Sequence, residues 1–199
     1  MKSAEKIYKE FVETAKYLLK ELDYYGINQF KQKESENEWS IGQLYDHLIF
    51  GTQNFHVREI RNCLEKKNGA TKGGKKVKGM WFFMTGSFPP FKFKGKNATN
   101  YEPAQPGNPV QIKDDLFRFI KLMNQLAKEI DKSDLSFKTE NPSLGMLNAL
   151  EWYKLIEMHF RHHLKQKHRL DEKVRSYKKE DLTVPKTSGS VDEDYDLLY

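Results

Sequence analysis

Trp39-Ser40-Ile41-Gly42-Gln43-Leu44-Tyr45-Asp46-His47-Leu48 is the stretch that decides the fold. Ser40 suits an N-cap, and Gln43 three residues on completes a capping box. Trp39 before the cap and Leu44 after it are spaced as a hydrophobic staple. A helix therefore begins here. It carries Leu44, Leu48 and Phe55 on one side and runs to about Lys66, with Gly69 just past its end. His47 flanks Leu44 and Leu48, so it aims inward. His56 is nine residues further on, two and a half turns of an α-helix, and is expected to point the opposite way.

A second start signal lies far downstream. Asn148 and Glu151 are spaced as a cap and its third residue, and Leu147 and Trp152 as a staple. Trp152, Leu155, Ile156 and Leu170 then share a face of a helix expected to reach Tyr177. His159 and His163 are four apart on that face, one turn above the other, and Gln166 continues the row. His168 should face solvent, and His162 sits at the boundary. Two further stripes complete the set. One is Ile7, Phe11, Ala15, Leu18 and Leu22 between Ser3 and Tyr25, stopped by Gly26. The other is Leu116, Phe119, Ile120, Met123, Leu126 and Ile130 between Ile112 and Lys132. Four helices with one buried stripe each predict an all-α protein, a four-helix bundle.

Proline and glycine mark the rest. Pro89, Pro90, Pro103, Pro106 and Pro109 cluster behind Gly69, Gly73, Gly74, Gly79, Gly86 and Gly95. Residues 68–110 therefore read as a long irregular insertion between the second and third helices. The expected organisation is a bundle domain over 1–178, containing that insertion, and a flexible acidic tail over 179–199 with Asp192, Glu193, Asp194 and Asp196.

Composition narrows the function classes. A chain of 199 residues suits one domain. A single cysteine, Cys63, excludes an internal disulfide and a cysteine-based zinc cluster, and it lies over four turns beyond His47. There is no apolar run of membrane-spanning length and no apolar signal segment at the start, so a cytoplasmic protein is the expectation. The net charge of +6 permits an anionic partner without demanding one.

The histidines carry the chemistry. One inward histidine is more often a satisfied core residue than a ligand, and an i,i+4 pair arises in many helices. Three inward imidazoles on two helices are harder to satisfy, because each has one donor and one acceptor to place. A divalent metal removes that difficulty. Three histidine ligands also leave coordination positions open, the pattern of a catalytic site. Asp46 and Glu151 flank these residues. Support for a ligand is one reading of them; exposed carboxylates are the commoner one.

The insertion interleaves Lys66, Lys67, Lys72, Lys75, Lys76, Lys78, Lys92, Lys94 and Lys96 with Trp81, Phe82, Phe83, Phe88, Phe91 and Phe93. Such a mixture can bind single-stranded nucleic acid, a membrane surface or an anionic cosubstrate. The favoured reading is plainer: a solvated loop whose aromatics tuck onto the bundle with lysines outside.

The Trp39–Leu48 stretch resembles the second-helix motif of the DinB/YfiT-like superfamily. Gly145-Met146-Leu147-Asn148-Ala149-Leu150-Glu151-Trp152, followed by His159-Phe160-Arg161-His162-His163-Leu164-Lys165-Gln166, is similar to its last-helix motif. The resemblance spans about Ser3 to Leu170. It implies a DinB-like four-helix bundle with two long connections. It also implies a central metal, zinc or nickel, held by His47, His159 and His163, with Gln166 as possible support, and a homodimer. Some branches use a low-molecular-weight thiol such as mycothiol, bacillithiol or glutathione. The function so implied is metal-dependent thiol S-transfer or hydrolysis on a small molecule. The alternative is a non-enzymatic module whose Lys/aromatic insertion contacts nucleic acid or another anion. The long insertion departs from compact relatives.

Overall fold

Ser3 caps the first helix, its hydroxyl accepting from the Lys6 amide at 3.3 Å, and α1 (Ala4–Glu21) follows with its whole apolar stripe buried. The computed structural model describes residues 3–87 and 101–175. A 3₁₀ turn (Leu22–Tyr24) and the short α2 (Ile27–Lys31) lead to the second long helix. Its capping box forms as expected. Ser40 Oγ accepts from the Gln43 amide at 3.0 Å, and Gln43 Oε1 accepts from the Ser40 amide at 3.2 Å.

This helix is not α throughout. It starts as α3 (Ile41–Asp46), widens into π-helix at His47–Gly51 and again at Gln53–Val57, and ends as α4 (Arg58–Leu64). The third long helix, α6 (Pro109–Ile130), starts slightly before the stripe suggested. Asn108 caps it, and Pro109 occupies a first turn where no amide is needed. The last, α7, runs Ala149–Arg175. Asn148 and Glu151 exchange backbone-to-side-chain bonds of 2.9 and 3.0 Å at its start, the expected capping box.

The four long helices close around one core. Phe160 of α7 stacks on Phe119 of α6, with centroids 5.6 Å apart, and meets Phe11 of α1 edge-on at 5.0 Å. Buried hydroxyls tie the helices together. Tyr45 donates to Leu18 O and Tyr153 donates to Met123 O, each at 2.8 Å. Lys167 is fully buried on α7 between Glu21 and Asp171, and the Tyr25 hydroxyl donates to the same Asp171.

Residues 68–110 hold more order than their glycines and prolines predict. Gly69–Ala70 form β1, and α5 spans Val77–Thr85. With β2 (Lys138–Asn141) and β3 (Gly145–Asn148), β1 makes a small antiparallel sheet in the order β1-β2-β3. Strands of two and four residues are too short to show an alternation. Helix α5 docks through Gly79: a Cβ there would stand 2.2 Å from Leu144 O. Gly86 ends α5 in the left-handed conformation, φ +63°. Phe88, Phe91, Phe93, Lys92, Lys94, Lys96, the approach to Tyr177 and the tail 179–199 lie outside the described residues. Among the described residues, no helix is long and apolar enough to cross a membrane.

Candidate metal centre

The bundle brings His47, His159 and His163 together. One ligand nitrogen from each lies within 4.8 Å of the other two. His47 Nε2 and His159 Nε2 are 3.0 Å apart, and the three ring centroids are separated by 4.9, 4.9 and 4.6 Å. His159 and His163 sit on successive turns of α7. Phe160, locked between α1 and α6, sets the rotation of α7 and so aims its neighbour His159 at the second helix.

Two neighbours set the protonation of these rings. His163 Nδ1 donates to Gln166 Oε1 at 2.8 Å, because an amide oxygen can only accept. That leaves the lone pair on His163 Nε2. His159 Nδ1 lies 3.2 Å from Thr52 Oγ1, a hydroxyl that can accept; with the proton on Nδ1, the His159 Nε2 lone pair is the one that faces His47. Nδ1 of His47 is buried without a hydrogen-bond partner. Trp39 lies against the His47 ring, centroids 4.9 Å apart.

Burial keeps these rings neutral. It lowers the pKa of His47 to about 4 and that of His163 to about 3, with nearby His47 adding to the shift of His163. His159 is pushed well below the ordinary value by burial, then by His163 and its other histidine neighbours. Neutral imidazole is the form that binds a metal. His47 Nε2 and His159 Nε2, 3.0 Å apart, need a proton or a cation between them. An all-nitrogen set of this kind suits zinc, nickel, copper or iron better than magnesium or calcium. The residues present therefore fit a divalent transition metal.

His56 overturns its expectation. Its ring is stacked on His159, centroids 5.5 Å apart and planes 26° from parallel, and it meets Trp152 edge-on at 5.8 Å. Burial lowers its pKa to about 3, and its Nδ1 has no hydrogen-bond partner. The cause is the π-helix. Nine residues are two and a half α-turns but only about two of the wider π-turns bonded i to i+5. His47, Thr52 and His56 thus all meet the His159 ring from one helix. α-helical spacing turns His56 away from His47 and gives Thr52 no place at the site, so the sequence does not show either of them there. Gly51 leaves these rings room: a Cβ there would stand 3.2 Å from His47 Nδ1 and 3.1 Å from the Tyr101 ring.

The other candidates fall elsewhere. His168 is exposed as expected, and His162 is exposed beside His163. Asp46 is buried rather than exposed. It accepts from the Tyr101 hydroxyl and from the Ala104 amide at 3.0 Å, while Gln43 Nε2 donates to Pro103 O at 3.1 Å. These bonds strap residues 101–105 across the first turn of α3. Glu151 is not exposed either; it caps α7 and pairs with Lys75. Cys63 is buried beside Leu147 O and Thr139 Oγ1, and burial raises its thiol pKa.

The insertion's lysines are largely turned to their own chain. Lys66 pairs with Asp134, Lys67 with Glu65, and Lys76 donates to Pro142 O. Its aromatics divide. Phe82 is buried, and Phe83 is half-buried with the Lys75 ammonium 5.3 Å from its ring centre. Trp81 is 41% exposed, contrary to the expectation that the aromatics tuck onto the bundle.

No curated protein matches the chain. The family model described as DinB superfamily matches residues 10–166, from the middle of α1 to Gln166. That match takes in the capping box at Ser40, the π-helix and all three converging histidines, and the chain belongs to the DinB superfamily.

Proposed function

We propose that His47, His159 and His163 hold a divalent metal, zinc or nickel, through their Nε2 atoms, and that the protein uses it to transfer a thiol to, or hydrolyse, a small molecule. One observation carries this reading. Three neutral imidazoles converge within 4.8 Å, with Gln166 and Thr52 arranged to hold two of them in the ligating tautomer. A bound cation of this type supplies Lewis acidity, which makes a nucleophile available at neutral pH.

The chain's own groups do the rest. Gln166 and Thr52 orient His163 and His159, as outer hydrogen bonds do in metal sites. Trp39 and His56 fix the faces of His47 and His159. Among the described residues no carboxylate belongs to the converging group, so three neutral ligands would leave the cation its full charge to act on substrate. The family resemblance supports a low-molecular-weight thiol as the cosubstrate class.

Metal content decides the matter. Protein purified without a histidine tag is measured by elemental mass spectrometry, as wild type and as His163→Ala. The expected result is about one zinc or nickel per chain, lost in the variant while the helical circular dichroism persists. No metal in wild type after reconstitution, or unchanged content in the variant, overturns the assignment.

A further inference from the structure

The three converging imidazoles are not equally covered. His159 is buried, whereas His47 and His163 are half-buried. Thr52, His56 and Phe160 close the space around His159. The Nδ1 side of His47 is closed as well: that atom is buried, with Gly51 and the Tyr101 ring beside it. A molecule from solvent therefore reaches the group along the edge shared by His47 and His163, whose ring centroids are 4.9 Å apart. Trp39 lies on His47 at that edge, centroids 4.9 Å apart and planes tilted by 46°. Gln166 and His162 flank His163.

We infer that this edge is the substrate entrance, and that the indole of Trp39 is the wall on which a flat, uncharged part of the substrate packs. The inference rests on the metal-centre reading above and adds the class of group the site accepts. Trp39 is held in place from both sides. Before it, Lys173 of α7 pairs with Glu34 and Glu38; after it, Ser40 caps α3. An aromatic wall fixed in advance loses little freedom when a ligand arrives. The indole is only half-buried, so its packing on His47 leaves surface for a second ring. Aromatic pairs in offset or edge-on contact gain attraction beyond the area they bury.

Charge points the same way. The side chains against the two outer rings are an indole, an amide and an imidazole. Among the described residues, no charged side chain bonds to His47 or His163. Lys173, on the loop's far side, is engaged by its two glutamates. An entrance of this make-up gives a carboxylate no partner in exchange for its water.

Two uncharged thiols test this on the cobalt-loaded full chain by visible absorption: phenylmethanethiol and ethanethiol. Wild type should bind the first roughly tenfold more tightly. The ratio of the two affinities is the readout, because a Trp39 that merely supports His47 would, when replaced, weaken both thiols alike. Trp39→Leu should cut the ratio roughly 3–10-fold, and Trp39→Phe should keep most of it. A carboxylate added to the ring, as in 4-(mercaptomethyl)benzoate, should weaken binding. A second readout is taken on wild type itself, with 5-fluorotryptophan at Trp39, Trp81 and Trp152. The fluorine resonance that Trp39→Phe lacks should shift when phenylmethanethiol is added. The inference is overturned if wild type has no preference for the ring, if Trp39→Leu weakens both thiols equally, if the carboxylate tightens binding, or if the Trp39 resonance stays in place. A chain that takes up no metal removes the metal centre and the entrance together; a metal-loaded chain that fails these tests removes the entrance alone.

Discussion

His56 stacks on His159 across two helices, 5.5 Å between ring centres, although nine residues separate it from His47 on its own helix. Together with Thr52 at 3.2 Å and His47 at 3.0 Å, it surrounds one imidazole with side chains from the two π-helical segments and the residue between them. The π-turns are therefore what lets a single helix address one ring three times, and π-turns recur at functional sites for such reasons.

Removing the outer support should weaken the centre without dismantling it. Thr52→Val keeps the shape but deletes the acceptor facing His159 Nδ1. Zinc affinity should fall about 10–100-fold, measured by competition with a chromophoric chelator. An affinity equal to wild type would show that this bond does not orient the ring.

The stack at His56 makes a separate prediction. His56→Phe preserves a flat ring against His159, and His56→Ala does not. Metal affinity should survive the first and drop about tenfold in the second. Equal affinities in both variants would mean that His159 is held by Thr52 and the helix alone.

The buried histidines predict how stability responds to acid. In unfolded chain an imidazole takes a proton near its ordinary value of about 6.5. In the fold His47 resists protonation to about 4, and His56 and His163 to about 3, because burial disfavours the charged ring. The unfolded state thus binds more protons between these limits. Stability of chelator-treated protein is fully present above about pH 6.5 and is lost as pH falls toward the folded values. Urea midpoints from about pH 7 to about pH 4.5 should decline, less steeply in His56→Phe. Identical slopes in the two proteins would remove His56 from this account.

Lys167 tests the core rather than the site. Its ammonium is fully buried between Glu21 and Asp171, and it lies 5.1 Å from the ring centre of Tyr17. Lys167→Met leaves two carboxylates without their cation. That should cost about 3–5 kcal/mol, read from urea unfolding. A loss below about 1 kcal/mol would place this pair among weak surface contacts.

Gly79 tests the docking of α5. Gly79→Ala sets a methyl group against Leu144 O, where a Cβ has 2.2 Å. The helix must shift, costing about 1–3 kcal/mol. Hydrogen exchange should quicken in Val77–Thr85 first. Unchanged protection there would show that α5 has room the structure does not give it.

Much of the bundle was legible in the chain itself, for local reasons. Ser40 with Gln43 and Asn148 with Glu151 are cap signals that act within four residues, and both form as read. The apolar stripes of α1, α6 and α7 repeat often enough to fix which way each helix faces. His159 and His163 inherit their direction from that repeat, and His47 from Leu44 and Leu48 just before the π-segment begins.

What the sequence by itself determined is thus the four long helices, the caps of two of them, and the inward aim of three histidines. Only the tertiary structure decided the rest. A π-turn has no local signature and is set by how the second helix packs against α7, so His56 and Thr52 became visible only there. Strands of two and four residues exist because β1 finds β2 nearly seventy residues later, and no periodicity can report a partner that distant. Burial of Asp46 likewise depends on Tyr101 and Ala104 returning across α3. Local propensities are written in neighbouring residues, whereas contacts between segments far apart in the chain depend on the closed fold.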